Sequence, residues 1–191
     1  MAIPRLTTES TALLVIDIQE RIIGTIHEHH GMTQRCRALI ASAALLKLPI
    51  IVTEQYVKGL GHTVSAITEV LPPNTHIIEK TAFSAFTPEV RAQLSELGRT
   101  NLLICGIEAH VCVLQSVLDA CANGIQTFHA TDAISSGQPN QINPAFRRME
   151  RAGSIPTGVL SALYELMESC EHPAFRAVLP YAKAVVNPMQ Q

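Results

Sequence analysis

The sequence predicts an α/β fold, a three-layer sandwich on a mostly parallel, Rossmann-like six-stranded sheet. Three observations carry this. Short β-branched runs alternate with longer amphipathic stretches along the chain. The strand segments are continuously apolar, the pattern of strands buried on both faces by crossover helices. No repeat, low-complexity segment or linker divides the 191 residues, a length that buries a full core as one domain, 1–191, without disulfide or metal support.

The elements follow in order. Thr11–Ile18 (TALLVIDI) reads as a buried first strand and Gln34–Leu46 as the helix after it. Ile50–Thr53 is a second strand, introduced by Pro49, and His76–Ile78 a third. Thr87–Leu97 is a helix with Pro88 in its first turn, where the missing N–H would have no intrahelical partner anyway. Asn101–Cys105 is a fourth strand ended by Gly106, and His110–Asn123 a helix stopped by Gly124. Ile125–His129 makes a fifth strand, Asn143–Arg151 a helix, Gly153–Ile155 a short sixth strand and Gly158–Ser169 the last helix. The first and last dozen residues read as tails packed on the surface.

Composition excludes several classes of function. The formal net charge is −2 and basic residues are scattered singly apart from Arg147 and Arg148, so there is no basic stripe for nucleic acid. Met1–Ser10 holds no apolar run, which argues against a secretory signal. Nothing approaches the ~20 apolar residues of a membrane span. The five cysteines, Cys36, Cys105, Cys112, Cys121 and Cys170, are odd in number and lack C-x-x-C spacing. They read as reduced thiols of a cytoplasmic protein.

In an open parallel sheet, ligands bind beyond the carboxyl ends of the strands, where strand order reverses. Asp17 falls near the end of strand one, Lys80 follows strand three, and Cys112 lies just past strand four at a helix start. Each alone has an ordinary reading: a turn-capping aspartate, a solvated lysine, a small buried thiol. Together they form a coherent set. A thiol attacks as its thiolate, which a helix N-terminus and a nearby ammonium favour. An adjacent carboxylate takes the proton. Gly106 permits a sharp turn whose amides face the site as an oxyanion hole.

The segments V-I-D-I-Q (15–19), E-K-T-A-F-S (79–84) and G-I-E-A-H-V-C-V (106–113) resemble, in order and spacing, the isochorismatase-like cysteine hydrolases, and the resemblance runs from about Leu13 to Leu166. It implies Asp17 as general base, Lys80 as the cation that orients the pair, and Cys112 as nucleophile. It also implies a non-proline cis peptide between Ile107 and Glu108, with the amides of Glu108 and Cys112 as oxyanion donors. The stretch Thr53–Thr63 resembles a subgroup named only for its isochorismatase domain, with no settled substrate. Nicotinamidases carry an Asp and several His after strand two to bind a metal. Here that place reads Glu54, Gln55, Tyr56, with His62 nearby, so neither metal nor organic cofactor is expected. Isochorismatases proper resemble this chain too, but lack a cysteine at the nucleophile position.

The expected activity is hydrolysis of a small-molecule amide-type C–N bond through a cysteine thioester, with Gln19, Tyr56, Phe83 and Phe86 as pocket walls. The alternatives are a non-catalytic interaction protein that retains the fold, or vinyl-ether hydrolysis. The family resemblance further implies a homo-oligomer, a dimer or tetramer.

Other signals carry less. Gly59-Leu60-Gly61 lacks the third glycine of a dinucleotide fingerprint. His27, His29 and His30 cannot all face one site on a regular helix and read as an exposed loop or helix start. Asp132 is expected to order the following Ser135–Gly137 loop through backbone amides. Cys105 and Cys121 read as buried packing residues.

Overall fold

A computed structural model describes residues 3–186. Six runs form strands: β1 (Thr11–Ile16), β2 (Ile50–Gln55), β3 (Ile77–Lys80), β4 (Asn101–Gly106), β5 (Gln126–Ile134) and β6 (Ile155–Thr157). They lie in the order β3-β2-β1-β4-β5-β6, every neighbouring pair parallel. The order reverses between β1 and β4, which places a crevice at their carboxyl ends.

All six residues of β1 are buried, because both faces of the sheet are covered. Leu13 and Val15 point into one core with Val52, Leu103, Cys105 and Phe128. Ala12, Leu14 and Ile16 point into the other with Ile51, Leu102 and Ile104. The first core packs against helices α2 (His29–Leu45), α8 (Val159–Met167) and α9 (Phe175–Val186). The second packs against α5 (Pro88–Glu96), α6 (Leu114–Ala122) and α7 (Pro139–Arg151). Each fully buried aliphatic side chain contributes about 1.5–3 kcal/mol. Short helices α1 (Glu20–Ile23), α3 (Val57–Leu60) and α4 (Ser65–Thr68) fill the loops after β1 and β2.

Several expectations need correction. β1 stops at Ile16 because Asp17 adopts φ 55°, a left-handed conformation that ends the strand. α2 starts at His29 and not Gln34, and α7 at Pro139 and not Asn143; β5 continues to Ile134. The segment expected as one helix from His110 opens with a π-helical turn, Ala109–Val113, before α6.

The largest difference is at the carboxyl end, where Phe175–Val186 is a helix and not a surface tail. Its Val178 and Ala182 are buried in the first core and against it, which outweighs the hydrogen bond that Pro180 removes. At the amino end Leu6 is buried at 1% exposure, packed in the first core. Residues 1–2 and 187–191 of the expected tails lie outside the described residues.

Candidate active site

The site forms where β1 and β4 part. Gly106 closes β4 at φ 123°, and a Cβ there would stand 2.1 Å from the Ile16 carbonyl oxygen. Only glycine lets the two strand ends approach so closely. The Ile107 N–H then donates to that same carbonyl at 2.9 Å, so the loop bearing Cys112 is docked on the strand that delivers Asp17. The peptide between Ile107 and Glu108 is cis.

Asp17 is 3% exposed and Lys80 6%, so both charges must be matched locally. Lys80 Nζ donates to Asp17 Oδ2 at 2.7 Å and to Gln55 Oε1 at 2.7 Å. It also faces the carbonyls of Ala82 at 3.2 Å and Phe83 at 3.1 Å. The other oxygen of Asp17 accepts from Thr53 Oγ1 at 2.7 Å. Lys80 thus reaches from β3 past β2, and β2 supplies a partner to each charge. Thr53 and Gln55 were missed by sequence reasoning. Their signal is position: they alternate at the carboxyl end of β2, between the strands that lead to Asp17 and Lys80.

Cys112 sits in the π-helical turn at 7% exposure. Asp17 and the Glu108 backbone act on the thiol in opposite senses, the carboxylate disfavouring its ionisation and the backbone N–H favouring it. Burial first, and then the Asp17 charge, push the thiol up to about 12, against the opposing pull of Lys80. The sequence expectation weighed only the pull of helix and ammonium towards the thiolate; burial and the Asp17 charge act the other way. Lys80 has its own carboxylate to neutralise, and that carboxylate lies next to the sulfur.

The four expected wall residues separate. Gln19 is fully buried: its amide nitrogen donates to the carbonyls of Gln55 at 3.0 Å and Gly61 at 2.6 Å, and its oxygen accepts from Gln55 N at 2.8 Å. It ties the loop after β2 to the sheet and offers no wall. Phe86 is core, 7% exposed among Val90 and Leu94. Tyr56 and Phe83 are each 56% exposed. Tyr56 N donates to the Lys80 carbonyl at 2.9 Å, and Tyr56 lines a cleft of about 440 Å³ with Val57, Lys58, Glu79, Lys80 and Thr81.

Glu54, at the place of the nicotinamidase metal ligands, spends one carboxylate oxygen on Thr63 N at 2.6 Å and Thr63 Oγ1 at 2.7 Å. Its other oxygen meets His62 Nδ1 at 3.1 Å. Among the described residues, no group of three His, Cys, Asp or Glu side chains is placed to hold a metal ion. His29 and His30 stack at the start of α2, 4.0 Å between ring centroids. Asp132 caps α8 by accepting from Val159 N at 2.9 Å, and does not bind the Ser135–Gly137 loop. Cys105 is buried, whereas Cys121 is half-buried beside Thr127. No helix among the described residues is long and apolar enough to cross a membrane.

Comparison with known proteins agrees with this fold. The isochorismatase domain model matches residues 11–159. Isochorismatase family protein 1B of Dictyostelium discoideum is 36% identical, covering 94% of this chain and 89% of its own. A solved structure named as MAR1 ribonuclease from Caenorhabditis elegans superposes with a TM-score of 0.90 at 38% identity, covering 93% of this chain and 92% of that one. YcaC from Pseudomonas aeruginosa, solved with covalent acrylamide, matches with a TM-score of 0.87 at 25% identity, over 100% of this chain and 98% of that one.

Proposed function

The chain belongs to the isochorismatase domain family, and from that premise we propose that it hydrolyses a small-molecule amide-type C–N bond through a thioester on Cys112. The observation that carries this reading is the buried Asp17–Lys80 pair, 2.7 Å between Oδ2 and Nζ, beside a buried Cys112 on which the Asp17 charge acts.

Because burial and the Asp17 charge push the thiol up, attack and proton transfer are coupled. The sulfur adds to the substrate carbonyl carbon as its proton passes to Asp17. The carbonyl π electrons move to oxygen, where the amides of Glu108 and Cys112 stabilise the charge. Collapse of the tetrahedral intermediate breaks the C–N bond, and the leaving amine takes the proton from Asp17. Water, giving a proton to Asp17, then attacks the thioester; carboxylic acid leaves, and the proton returns to sulfur. Lys80 holds Asp17 in place and offsets its charge. Its donors are spent on Asp17, Gln55 and two carbonyls, so it is not a cation for substrate. That saturation favours an uncharged amide over the phosphodiester suggested by the ribonuclease name of the Caenorhabditis elegans structure. The exposed rings of Tyr56 and Phe83 suit an apolar substrate body. The covalent acrylamide of the YcaC structure supports a reactive nucleophile within reach of a small uncharged molecule.

The same reading includes a cytoplasmic protein with free thiols. It also includes a homo-oligomer, a dimer or tetramer, supported by exposed Leu45, Leu97 and Tyr164.

The test is a panel of short uncharged amides, with mass spectrometry for an acyl adduct on Cys112. Cys112→Ala is expected to lose turnover by 10³-fold or more on the order-of-magnitude scale of a lost nucleophile, with its melting temperature retained. Wild-type turnover in that variant would remove the covalent mechanism.

A further inference from the structure

The turn that runs from Glu108 to Cys112 is held by a network the mechanism does not use. Glu108 Oε2 accepts from Ser136 Oγ at 2.5 Å and from Gly137 N at 2.9 Å. Ser136 is fully buried. With its one proton given to Glu108, its oxygen accepts from His110 Nδ1 at 2.8 Å. The backbone closes the same contact: Ala109 N donates to the Ser135 carbonyl at 2.9 Å. The loop is anchored in turn, since Ser135 Oγ donates to the His27 carbonyl at 2.7 Å and His27 N donates to the Ser136 carbonyl at 3.0 Å.

The Glu108 carboxylate is therefore turned away from the thiol and spent on the loop after β5. Such an arrangement does one thing well: it fixes the plane of the Glu108 peptide, whose N–H is the proposed oxyanion donor. Oxyanion donors act only when held close to the position where charge develops. We propose that the Glu108 side chain and Ser136 are positioning residues that clamp the oxyanion amide through the Ser135–Gly137 loop. The proposal rests on reading Cys112 as the nucleophile.

The test uses the full chain and p-nitrophenyl acetate, an acyl donor whose thiolysis passes through a tetrahedral intermediate. Ser136→Ala and Glu108→Ala are expected to lower kcat by ~10–100-fold, with KM moved less than about threefold, on the scale of a displaced oxyanion donor. Alkylation of Cys112 by iodoacetamide at pH 9 forms no oxyanion and is expected to stay within about twofold of wild type. Glu108→Gln keeps an acceptor at the Oε2 position and is expected to recover at least about fivefold of the Glu108→Ala loss. Unchanged kcat in both alanine variants overturns the clamp. So does alkylation that falls in parallel with kcat, which marks general damage, or a Gln variant no better than Ala. Cys112→Ala separates the two readings. If it keeps nitrophenolate release, or if wild type shows none, the nucleophile reading falls and the clamp with it. If it is inactive while the clamp variants are not, the clamp alone falls.

Discussion

Asp17 and Lys80, at the carboxyl ends of β1 and β3, are buried against each other, whereas His129, within β5, is buried with its charged form disfavoured. Around the ion pair every strong donor and acceptor is matched: Thr53 on one Asp17 oxygen, Lys80 on the other, and Gln55 and two carbonyls on the ammonium. His129 has one partner, Ser154 Oγ, 2.9 Å from Nδ1, while Nε2 is buried with none among the described residues. Its ring lies 5.4 Å from that of Phe146. Burial pulls its pKa down to about 4. A charge survives in this interior where hydrogen bonds close around it, and is refused where they do not.

The strongest way to break this comparison is to remove one partner of the closed network. Lys80→Met leaves the Asp17 charge buried and uncompensated and is expected to cost about 3–5 kcal/mol. Urea denaturation would measure it. Adding Asp17→Asn removes the stranded charge and is expected to restore a large share. An unchanged midpoint in the single variant would mean that the pair is not electrostatically closed.

His129 supplies the next largest effect, with a defined sign. Its folded pKa lies below the unfolded value of about 6.5. Between the two the unfolded chain binds more protons, so stability falls as pH falls. The contribution is complete above about pH 6.5, is lost progressively down to about pH 4, and amounts to about 3 kcal/mol. His129→Leu is expected to flatten that part of the stability–pH curve. A wild-type-like slope in the variant would assign the acid sensitivity elsewhere.

The smallest test sharpens the first. Thr53→Val removes one neutral donor from Asp17 and is expected to cost about 1–2 kcal/mol, with Thr53→Ser close to wild type. If Val and Ser behave alike, the hydroxyl contributes nothing to holding the carboxylate.

Much of this was legible in the chain. The six strands and their parallel pairing follow from apolar runs alternating with amphipathic ones, because two covered faces demand two-sided burial. Asp17, Lys80 and Cys112 stood out because polar residues at the ends of such runs have few structural uses. Their helpers were harder to see. Thr53 and Gln55 sit in a run that reads as ordinary strand, and Ser136 in a run that reads as ordinary loop. Their partners lie 36, 25 and 28 residues away, beyond the range of local pattern. Gln19 and Phe86 looked like pocket walls because they are near the motifs in sequence, but strand and turn geometry sends them into the scaffold.

By itself the sequence determined the layer architecture and which residue types stand at the sheet's carboxyl edge, since both depend on local periodicity and chain order. The tertiary structure alone decided that Phe175–Val186 is a helix, that burial and Asp17 push the Cys112 thiol up and that burial pulls the His129 imidazole down. Those outcomes depend on desolvation and hydrogen-bond closure, which are supplied by groups distant in the chain and brought together only by packing.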